Sequence, residues 1–340
     1  MKVAEFQGIG TIRIEERPVP KPSPSEVIVR VMVCGICGTD QHIYHGKPGS
    51  ASVVAPRVLG HELAGEISAV GEQVTSFAIG DRVTVDPNIY CGRCNHCRGG
   101  RMHLCDHLKA VGVTQDGGMA EYVTVPAANC FSLPAMLTFE QGAMMEPLGC
   151  CLHGIAQLDI KPGASAVVIG GGYIGLLMVQ LLHLYGASPI VVSELDKSKH
   201  AIAVELGATC AYSPVDTDLM SVREEQASGG FDIVIECVGR AETMQTAIHM
   251  AGKGGQILLF GVADPSTDIT VNPFEIFSKE LQIKGSFINP HTHNAAIALV
   301  QQGKVDVTRT ISHRFSLEEL PDAMASYPSL RVTKGILHLT

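Results

Sequence analysis

Hydrophobic positions divide the chain into two parts with different rhythms. Up to about residue 150, apolar runs such as VIVRVMVCG, LAGEISAVGE, DRVTVDP and AEYVTVP are short and separated by Gly and Pro. Short runs with frequent turn signals are typical of a barrel-like or sandwich β domain. The segment PVPKPSPSE, residues 18–26, contains four prolines and predicts a loop.

From about residue 153, apolar strands alternate with helical segments. This alternation predicts an α/β domain with a doubly wound parallel sheet of six strands. The last fifty residues leave this rhythm and are too few for a domain, so we expect them to return to the first one. The predicted division is therefore 1–152, 153–289 and 290–340. The six strands are AVVIG (166–170), PIVVSE (189–194), TCAYS (209–213), FDIVIECVG (231–239), QILLFGV (256–262) and LQIKGSF (281–287).

Composition narrows the range of partners. The chain has 340 residues and a net charge of −9, which argues against nucleic acid or an anionic membrane surface as a partner. The N-terminus lacks a signal-peptide pattern, and no apolar run reaches membrane-spanning length. Eleven cysteines in such a chain predict metal ligands and buried thiols, which a reducing cytoplasm fits best.

Four of these cysteines form the strongest local signal. Cys91, Cys94, Cys97 and Cys105 lie in CGRCNHCRGGRMHLC. Zn²⁺ is readily held by four thiolates in a tetrahedron, and loops of this length can wrap around it without strain. A disulfide pair is the alternative, but nothing else indicates an exported protein. The pattern predicts a closed structural zinc site.

A glycine-rich turn predicts where a dinucleotide binds. Gly170, Gly172 and Gly175 form GxGxxG between an apolar strand and an apolar helix. These glycines permit a tight turn and let backbone N–H groups at the helix N-terminus approach a pyrophosphate. The expected cofactor contacts are Gly170, Gly172, Tyr173, Ile174, Glu194, Lys199, Cys237 and Val262.

The residue at the end of the next strand bears on the choice of cofactor. Glu194 can accept hydrogen bonds from both adenosine ribose hydroxyls and would repel a 2′-phosphate, so we expect NAD rather than NADP. Lys197 and Lys199 are the counter-evidence, since either could reach a phosphate.

A second set of metal ligands lies in the first part of the chain. Cys37, His61 and Glu62 offer a thiolate, an imidazole and a carboxylate, and three ligands with an open position make a catalytic zinc site. Adjacent strand residues point to opposite faces, so His61 and Glu62 both bind only if Gly60 makes the backbone irregular. Glu62 could instead lie behind the ligands. Glu146 is a further acid that either ligates zinc or bonds to a zinc-bound water.

Taken together, GICGTDQH, GHELAGEI, the cysteine loop, MEPLGCCLHG and VIGGGYIG resemble the zinc-dependent medium-chain dehydrogenases/reductases over essentially the whole chain. The similarity is greatest to the sorbitol (polyol) and threonine dehydrogenase branch. It implies a GroES-like catalytic domain, a Rossmann domain, two zinc ions per chain and a homo-oligomer, either a tetramer or a dimer. It further implies that Cys37, His61 and Glu62 hold the catalytic zinc, that Thr39 contacts the reacting alcohol, and that His42 ends a proton relay.

The resemblance implies a polyol substrate oxidised to a ketose. Tyr44 resembles a pocket aromatic of the polyol enzymes. The polyol pattern expects an Arg–Tyr pair after the sixth strand, where this chain has Ile288 and Asn289; the Asn289 amide remains a candidate substrate contact. The alternatives are a phosphorylated polyol or L-threonine as substrate, or a catalytically silent binding or regulatory homologue.

Overall fold

The computed structural model describes residues 1–47, 51–327 and 329–339. The chain divides into two units. Unit 1 comprises Met1–Gly149 and Ile288–Thr340, and unit 2 comprises Cys150–Phe287. The observed divisions fall three and two residues before the expected ones at 152 and 289. The C-terminal segment belongs to unit 1.

Four strands of unit 1 coincide with the runs VIVRVMVCG, LAGEISAVGE, DRVTVDP and AEYVTVP, and the other strands were not predicted. In the described residues the strands of unit 1 are β1 (Lys2–Gly8), β2 (Thr11–Glu16), β3 (Glu26–Ile36), β4 (Arg57–Val58), β5 (Glu62–Val70), β6 (Arg82–Val85), β7 (Asn88–Ile89), β8 (Lys109–Ala110), β9 (Tyr122–Pro126), β10 (Cys130–Ser132), and, after unit 2, β17 (His313–Ser316) and β18 (Gly335–His338). Of the loop predicted over residues 18–26, residues 18–25 contain no strand and Glu26 begins β3.

The main sheet of unit 1 has the order β10-β6-β5-β3-β18-β17, and β9 also pairs with β3. β3 is central because β5, β9 and β18 all pair with it in antiparallel fashion. β18 brings the C-terminal segment to this strand, with Gly335 opposite Ile36. The helices of this unit are α1 (Gly38–Tyr44), α2 (Asn95–Arg98), α3 (Phe139–Ala143), α4 (Met145–Ile155, which runs on into unit 2), α10 (His293–Gln301) and α11 (Leu320–Ser326).

Unit 2 is a six-stranded parallel sheet of order β13-β12-β11-β14-β15-β16. The predicted doubly wound α/β fold is confirmed. Its strands are β11 (Ala166–Ile169), β12 (Ile190–Ser193), β13 (Cys210–Tyr212), β14 (Phe231–Glu236), β15 (Ala251–Leu259) and β16 (Gln282–Gly285); its helices are α5 (Tyr173–Leu184), α6 (His200–Glu205), α7 (Leu219–Gln226), α8 (Ala241–Met250) and α9 (Pro273–Lys279). β11 is apolar and buried throughout because helices cover both faces of such a sheet. No described helix combines the length and apolarity needed to cross a membrane.

Candidate active site and metal centres

Four cysteine sulfurs of one loop gather around a common point. The Sγ atoms of Cys91, Cys94, Cys97 and Cys105 lie within 4.8 Å of one another. The Cys91–Cys97 and Cys94–Cys105 sulfur separations are both 4.0 Å. Thiolates arranged tetrahedrally around Zn²⁺ at about 2.3 Å are about 3.8 Å apart. The sulfur positions therefore fit a zinc ion.

Backbone N–H groups stabilise thiolates in this loop. The N–H groups of Arg93 and Cys94 donate to Cys91 Sγ at 3.5 and 3.4 Å and lower the pKa of Cys91 to about 6. Burial and the neighbouring Cys94 and Cys105 side chains instead raise the pKa of Cys97 to about 12. A further thiolate beside others is unfavourable without a cation to offset the repulsion. The donor set is therefore suited to a divalent ion that favours sulfur ligands.

The second set of ligands comes from separate elements of unit 1. Cys37 caps α1, and its Sγ accepts the Thr39 N–H at 3.4 Å. His61 and Glu62 stand at the start of β5, directly after Gly60, whose φ is +91°. This left-handed glycine supplies the backbone irregularity that two adjacent ligands need. The ligand atoms of Cys37, His61 and Glu62 lie within 4.8 Å of one another.

Asp40 is a buried carboxylate beside this cluster that the sequence analysis missed. Its Oδ2 accepts the Cys37 N–H at 2.9 Å, and its Oδ1 lies 3.7 Å from His61 Nδ1. Desolvation alone would lower the pKa of His61, but Asp40 and Cys37 raise it well above its ordinary value. His61 therefore lies in an excess of negative charge, which suits a bound cation. The available signal was an acid three residues after Cys37, the N3 position of a capping box.

Lys334 is a buried cation that sequence reasoning also missed. Its Nζ pairs with Glu62 Oε2 and donates to the Ile36 carbonyl at 3.1 Å. Desolvation opposes its charge, but Glu62 and Cys37 outweigh this effect and raise the pKa of Lys334. Lys334 therefore holds one oxygen of Glu62 and balances part of the negative charge of the cluster. Nothing in the sequence marks it, because 272 residues separate it from Glu62.

Glu146 stands in the first turn of α4 and is buried. Its carboxylate is not in the group of ligand atoms within 4.8 Å of one another. Its charge nevertheless contributes to the raised pKa of His61. Glu146 therefore lies near the cluster, close enough for its charge to act on His61, but is not one of the three grouped ligands.

α1 carries the two residues expected to handle the proton. Thr39 and His42 are three residues apart in this helix and so lie on one side of it. Thr39 adjoins the cluster through the bond of its N–H to Cys37 Sγ. Both residues are partly exposed. A hydroxyl and an imidazole thus follow each other along the helix, starting at a ligand.

The structure gives Tyr44 and Asn289 places that do not favour substrate contact. Tyr44 is 6% exposed, and its hydroxyl donates to the Gly10 carbonyl at 2.9 Å. Asn289 is fully buried, and both polar atoms of its amide are engaged, Oδ1 by Asn88 and Nδ2 by His293. The amide that sequence reasoning offered to a substrate hydroxyl is therefore already satisfied inside unit 1.

In unit 2, the glycine-rich turn joins β11 to α5. Gly170 has φ +102°, which favours glycine, and a Cβ on Gly175 would collide with the Gly170 carbonyl. Gly172 is the N-cap of α5, without a side-chain cap, and a Cβ there would meet no atom within 4 Å. The helix N-terminus is therefore open, as pyrophosphate binding requires. Tyr173 and Ile174 form the first turn of α5.

Glu194 is held at this turn. Its Oε2 accepts the Gly171 N–H at 2.6 Å and its Oε1 accepts the Asp196 N–H at 2.8 Å. Lys197 pairs with Asp216 at 2.9 Å, so its charge is directed to an acid of the protein. Lys199 is partly exposed in the short turn that follows. The carboxylate rather than a lysine therefore lies against the glycines.

Two more expected cofactor contacts follow the ends of parallel strands. Cys237 comes after β14, where its N–H donates to the Ile169 carbonyl at 2.9 Å and burial raises the pKa of its thiol. Val262 lies three residues past the end of β15 and is 62% exposed. Both belong to the carboxyl edge of the sheet, where doubly wound folds bind ligands.

A three-ligand metal cluster, a closed four-thiolate site and a doubly wound sheet with an open glycine turn define a zinc-dependent dehydrogenase that uses a nicotinamide dinucleotide. Comparison with known proteins agrees. Residues 23–135 match the alcohol dehydrogenase GroES-like domain, and residues 174–302 match the zinc-binding dehydrogenase domain.

Several relatives are similar over nearly the whole chain. D-xylulose reductase A of Aspergillus niger is 35% identical over 97% of this chain and 94% of its own. Sorbitol dehydrogenase of Bacillus subtilis (strain 168) is 33% identical over 95% and 92%. A protein of Sinorhizobium meliloti 1021, described as a zinc-binding dehydrogenase and bound to NADP, is 40% identical, with a TM-score of 0.94 and 99% of both chains covered.

The chain therefore belongs to the zinc-dependent medium-chain dehydrogenases, in the polyol branch. This membership confirms the predicted family, the GroES-like and Rossmann domains, and zinc and NAD(H) as cofactors.

Proposed function

We propose that the protein oxidises a secondary hydroxyl of a polyol to the ketose, with NAD as hydride acceptor. The observation that carries the proposal is the cluster of Cys37, His61 and Glu62 with Thr39 beside it on α1, where the Thr39 N–H donates to Cys37 Sγ. A catalytically silent homologue would have no reason to retain a buried acidic cluster together with its balancing cation, Lys334.

Each side chain has a distinct task in this proposal. Zinc held by the cluster supplies a Lewis acid that lowers the pKa of an alcohol. The Thr39 hydroxyl takes the proton of the reacting alcohol and gives up its own, which ends on His42, one helical turn further; a ribose hydroxyl of the cofactor would link the two side chains. Asp40 orients His61, while Lys334 restrains Glu62 and limits how much negative charge the ligands carry. NAD held at the glycine-rich turn and Glu194 would supply the acceptor for the hydride of the carbinol carbon.

The polyol assignment draws on relatives named for a polyol or its ketose, sorbitol dehydrogenase and D-xylulose reductase. The experiment that tests it is an NAD⁺-reduction screen over stereochemically varied C4–C6 polyols, their phosphates and L-threonine. We expect kcat/KM to be highest for an unphosphorylated polyol. A preference for a phosphate ester or for threonine would contradict the substrate and leave the dehydrogenase class intact.

We propose NAD over NADP because Glu194, held by two backbone N–H groups, stands where a 2′-phosphate would have to bind. The relative bound to NADP makes this choice worth testing directly. We expect kcat/KM for NAD⁺ to exceed that for NADP⁺ by about a hundredfold, and Glu194→Ala to narrow the gap. Equal use of both cofactors by the unmodified enzyme would contradict the assignment.

We further propose a homo-oligomer in a reducing cytoplasm. β16 is the edge strand of the parallel sheet, and Phe274 and Phe277 of nearby α9 are 69% and 76% exposed. An open strand edge beside exposed aromatic rings favours pairing with a second copy. All eleven cysteines are free thiols, which fits a reducing compartment. Light scattering should give a dimer or tetramer, and Phe277→Glu should shift it toward the monomer.

A further inference from the structure

A buried polar network joins two distant segments of unit 1. Asp86 Oδ1 accepts both the backbone N–H and the side-chain Nδ2–H of Asn88, at 3.0 and 2.9 Å. Asn88 Nδ2 also donates to Asn289 Oδ1 at 2.6 Å. The connection from β6 to β7, which precedes the cysteine loop, is thereby tied to the first residues of the segment that re-enters unit 1.

His293 closes this network into a ring. Asn289 Nδ2 donates to His293 Nδ1 at 3.2 Å, and His293 Nε2 donates to the carbonyl of Val85, the residue before Asp86, at 3.1 Å. Burial lowers the pKa of His293 to about 4, so its imidazole is neutral at pH 7 and can accept a hydrogen bond at one nitrogen while donating at the other. A closed ring of satisfied buried hydrogen bonds resists displacement of any member.

The ring touches α4 at Gly149, where a side chain would crowd Thr292 and Asn289. A Cβ on Gly149 would lie 2.7 Å from Thr292 Oγ1, 3.3 Å from Asn289 Cβ and 3.4 Å from Asn289 Nδ2. Thr292 Oγ1 in turn donates to the Asn289 carbonyl at 3.0 Å. The backbone of α4 thus rests directly on Asn289 and Thr292. Glu146 lies three residues before Gly149 and therefore on the same side of the helix.

We propose that Asn289 is a positioning residue for Glu146. By fixing α4 at Gly149, the ring sets the place of the Glu146 carboxylate relative to Cys37, His61 and Glu62. Asn289 thus acts on the reaction through the helix and not through contact with substrate. The proposal rests on the proposed function, because it requires Glu146 to take part in turnover.

The first test compares two asparagines that bind the same β6–β7 connection. Asn129 Nδ2 donates to the carbonyls of Asp86 and Asn88 at 2.9 and 2.8 Å, so Asn129→Ala removes two partly buried hydrogen bonds from the β6–β7 connection. Asn289→Ala removes two buried hydrogen bonds from the ring. Asn289→Ala should lower kcat about tenfold at unchanged zinc content, because small displacements of reacting groups are costly, whereas Asn129→Ala should stay within about twofold. Equal effects on kcat, or lower stability alone in Asn289→Ala, would overturn the proposal.

Gly149→Ala provides a second route in case Asn289→Ala folds poorly. The added methyl group presses on Thr292 and Asn289 and should displace α4 by a few tenths of an ångström, with a similar loss in kcat and little change in KM. A Gly149→Ala enzyme that is stable and fully active would contradict the proposal.

A double-mutant cycle tests whether the effect of Asn289→Ala depends on the Glu146 carboxylate. If Asn289 acts only through Glu146, then adding Asn289→Ala to Glu146→Gln should cost no further activity. Losses that multiply would overturn the proposal. A fully active Glu146→Gln enzyme would overturn it too, while leaving zinc-dependent oxidation standing, because Cys37→Ser tests that function separately.

Discussion

The loop of four cysteines and the cluster of Cys37, His61 and Glu62 both lie in unit 1, but they differ in where their ligands come from and in which groups contact those ligands. The loop takes identical ligands from residues 91–105, and its thiolates receive hydrogen bonds from backbone N–H groups. The cluster takes three different ligands from two elements, and charged side chains, Asp40 and Lys334, contact them.

This difference separates holding a metal from using it. A closed set of four thiolates leaves no position for a substrate, so it can only stabilise the fold. Three ligands leave one position open, and the charges of Asp40 and Lys334 adjust how strongly each ligand donates. Removing a ligand should therefore lower activity at the cluster of Cys37, His61 and Glu62, and lower stability at the loop of four cysteines.

The largest expected effect is that of Cys37→Ser. Serine keeps a hydroxyl that can cap α1, so the helix should persist while the metal ligand is weakened. We expect NAD⁺ reduction to fall by at least about a thousandfold with a native circular dichroism spectrum, because the Lewis acid is lost. Elemental analysis should find one zinc per chain. Retained turnover would remove zinc from the mechanism.

Chelation should separate the two sites without mutation. A metal chelator should remove one zinc per chain and nearly all activity, because the three-ligand site has an open position through which a chelator can attack. The second zinc should leave only on unfolding or with a thiol reagent. Added Zn²⁺ should restore the rate. Simultaneous loss of both ions would contradict the distinction.

Lys334→Met should have an intermediate effect. Methionine replaces the stem of lysine but leaves Glu62 buried without its cation, and Glu62 then gives its full charge to the metal. We expect activity to fall about 10- to 100-fold, because a more strongly donating carboxylate makes zinc a weaker Lewis acid, with the cysteine loop unaffected. Lys334→Arg is the control that keeps the charge. Wild-type kcat in the methionine variant would show that Glu62 needs no counterion.

The smallest expected effect on activity is that of Cys97→Ser. Loss of the Cys97 thiolate should lower the zinc content to one per chain and lower the midpoint of thermal unfolding, because binding of a structural metal contributes to folding free energy. The kcat of the remaining folded enzyme should stay within about threefold of wild type, since structural sites do no chemistry. Loss of activity at unchanged stability would give the loop a direct role in catalysis.

The same comparison explains what the sequence could predict. The cysteine loop and the glycine turn are encoded in short spacings, because the chain folds locally around each. The pair His61–Glu62 was also readable, including its dependence on Gly60, whose φ of +91° supplies the irregular backbone.

The rest depends on tertiary pairing that local sequence does not encode. Lys334 reaches Glu62 because β18 pairs with β3 and sets Gly335 opposite Ile36. No sequence motif predicts this strand register. Asn289 was interpreted as a substrate contact from its position after the sixth strand and the capacity of its amide to form hydrogen bonds. Of its buried partners, Asn88 is 201 residues away in sequence, and His293 is the first residue of α10, which no local pattern marked as a partner.

The most direct test of the account is a crystal structure of the purified enzyme with anomalous difference maps measured on either side of the zinc absorption edge. We predict two peaks per chain, one enclosed by the four cysteine sulfurs and one bonded to Cys37 Sγ and the His61 imidazole at about 2.3 and 2.1 Å. A single peak in the cysteine loop, in an enzyme that still turns over, would contradict the assignment of the catalytic zinc to Cys37, His61 and Glu62.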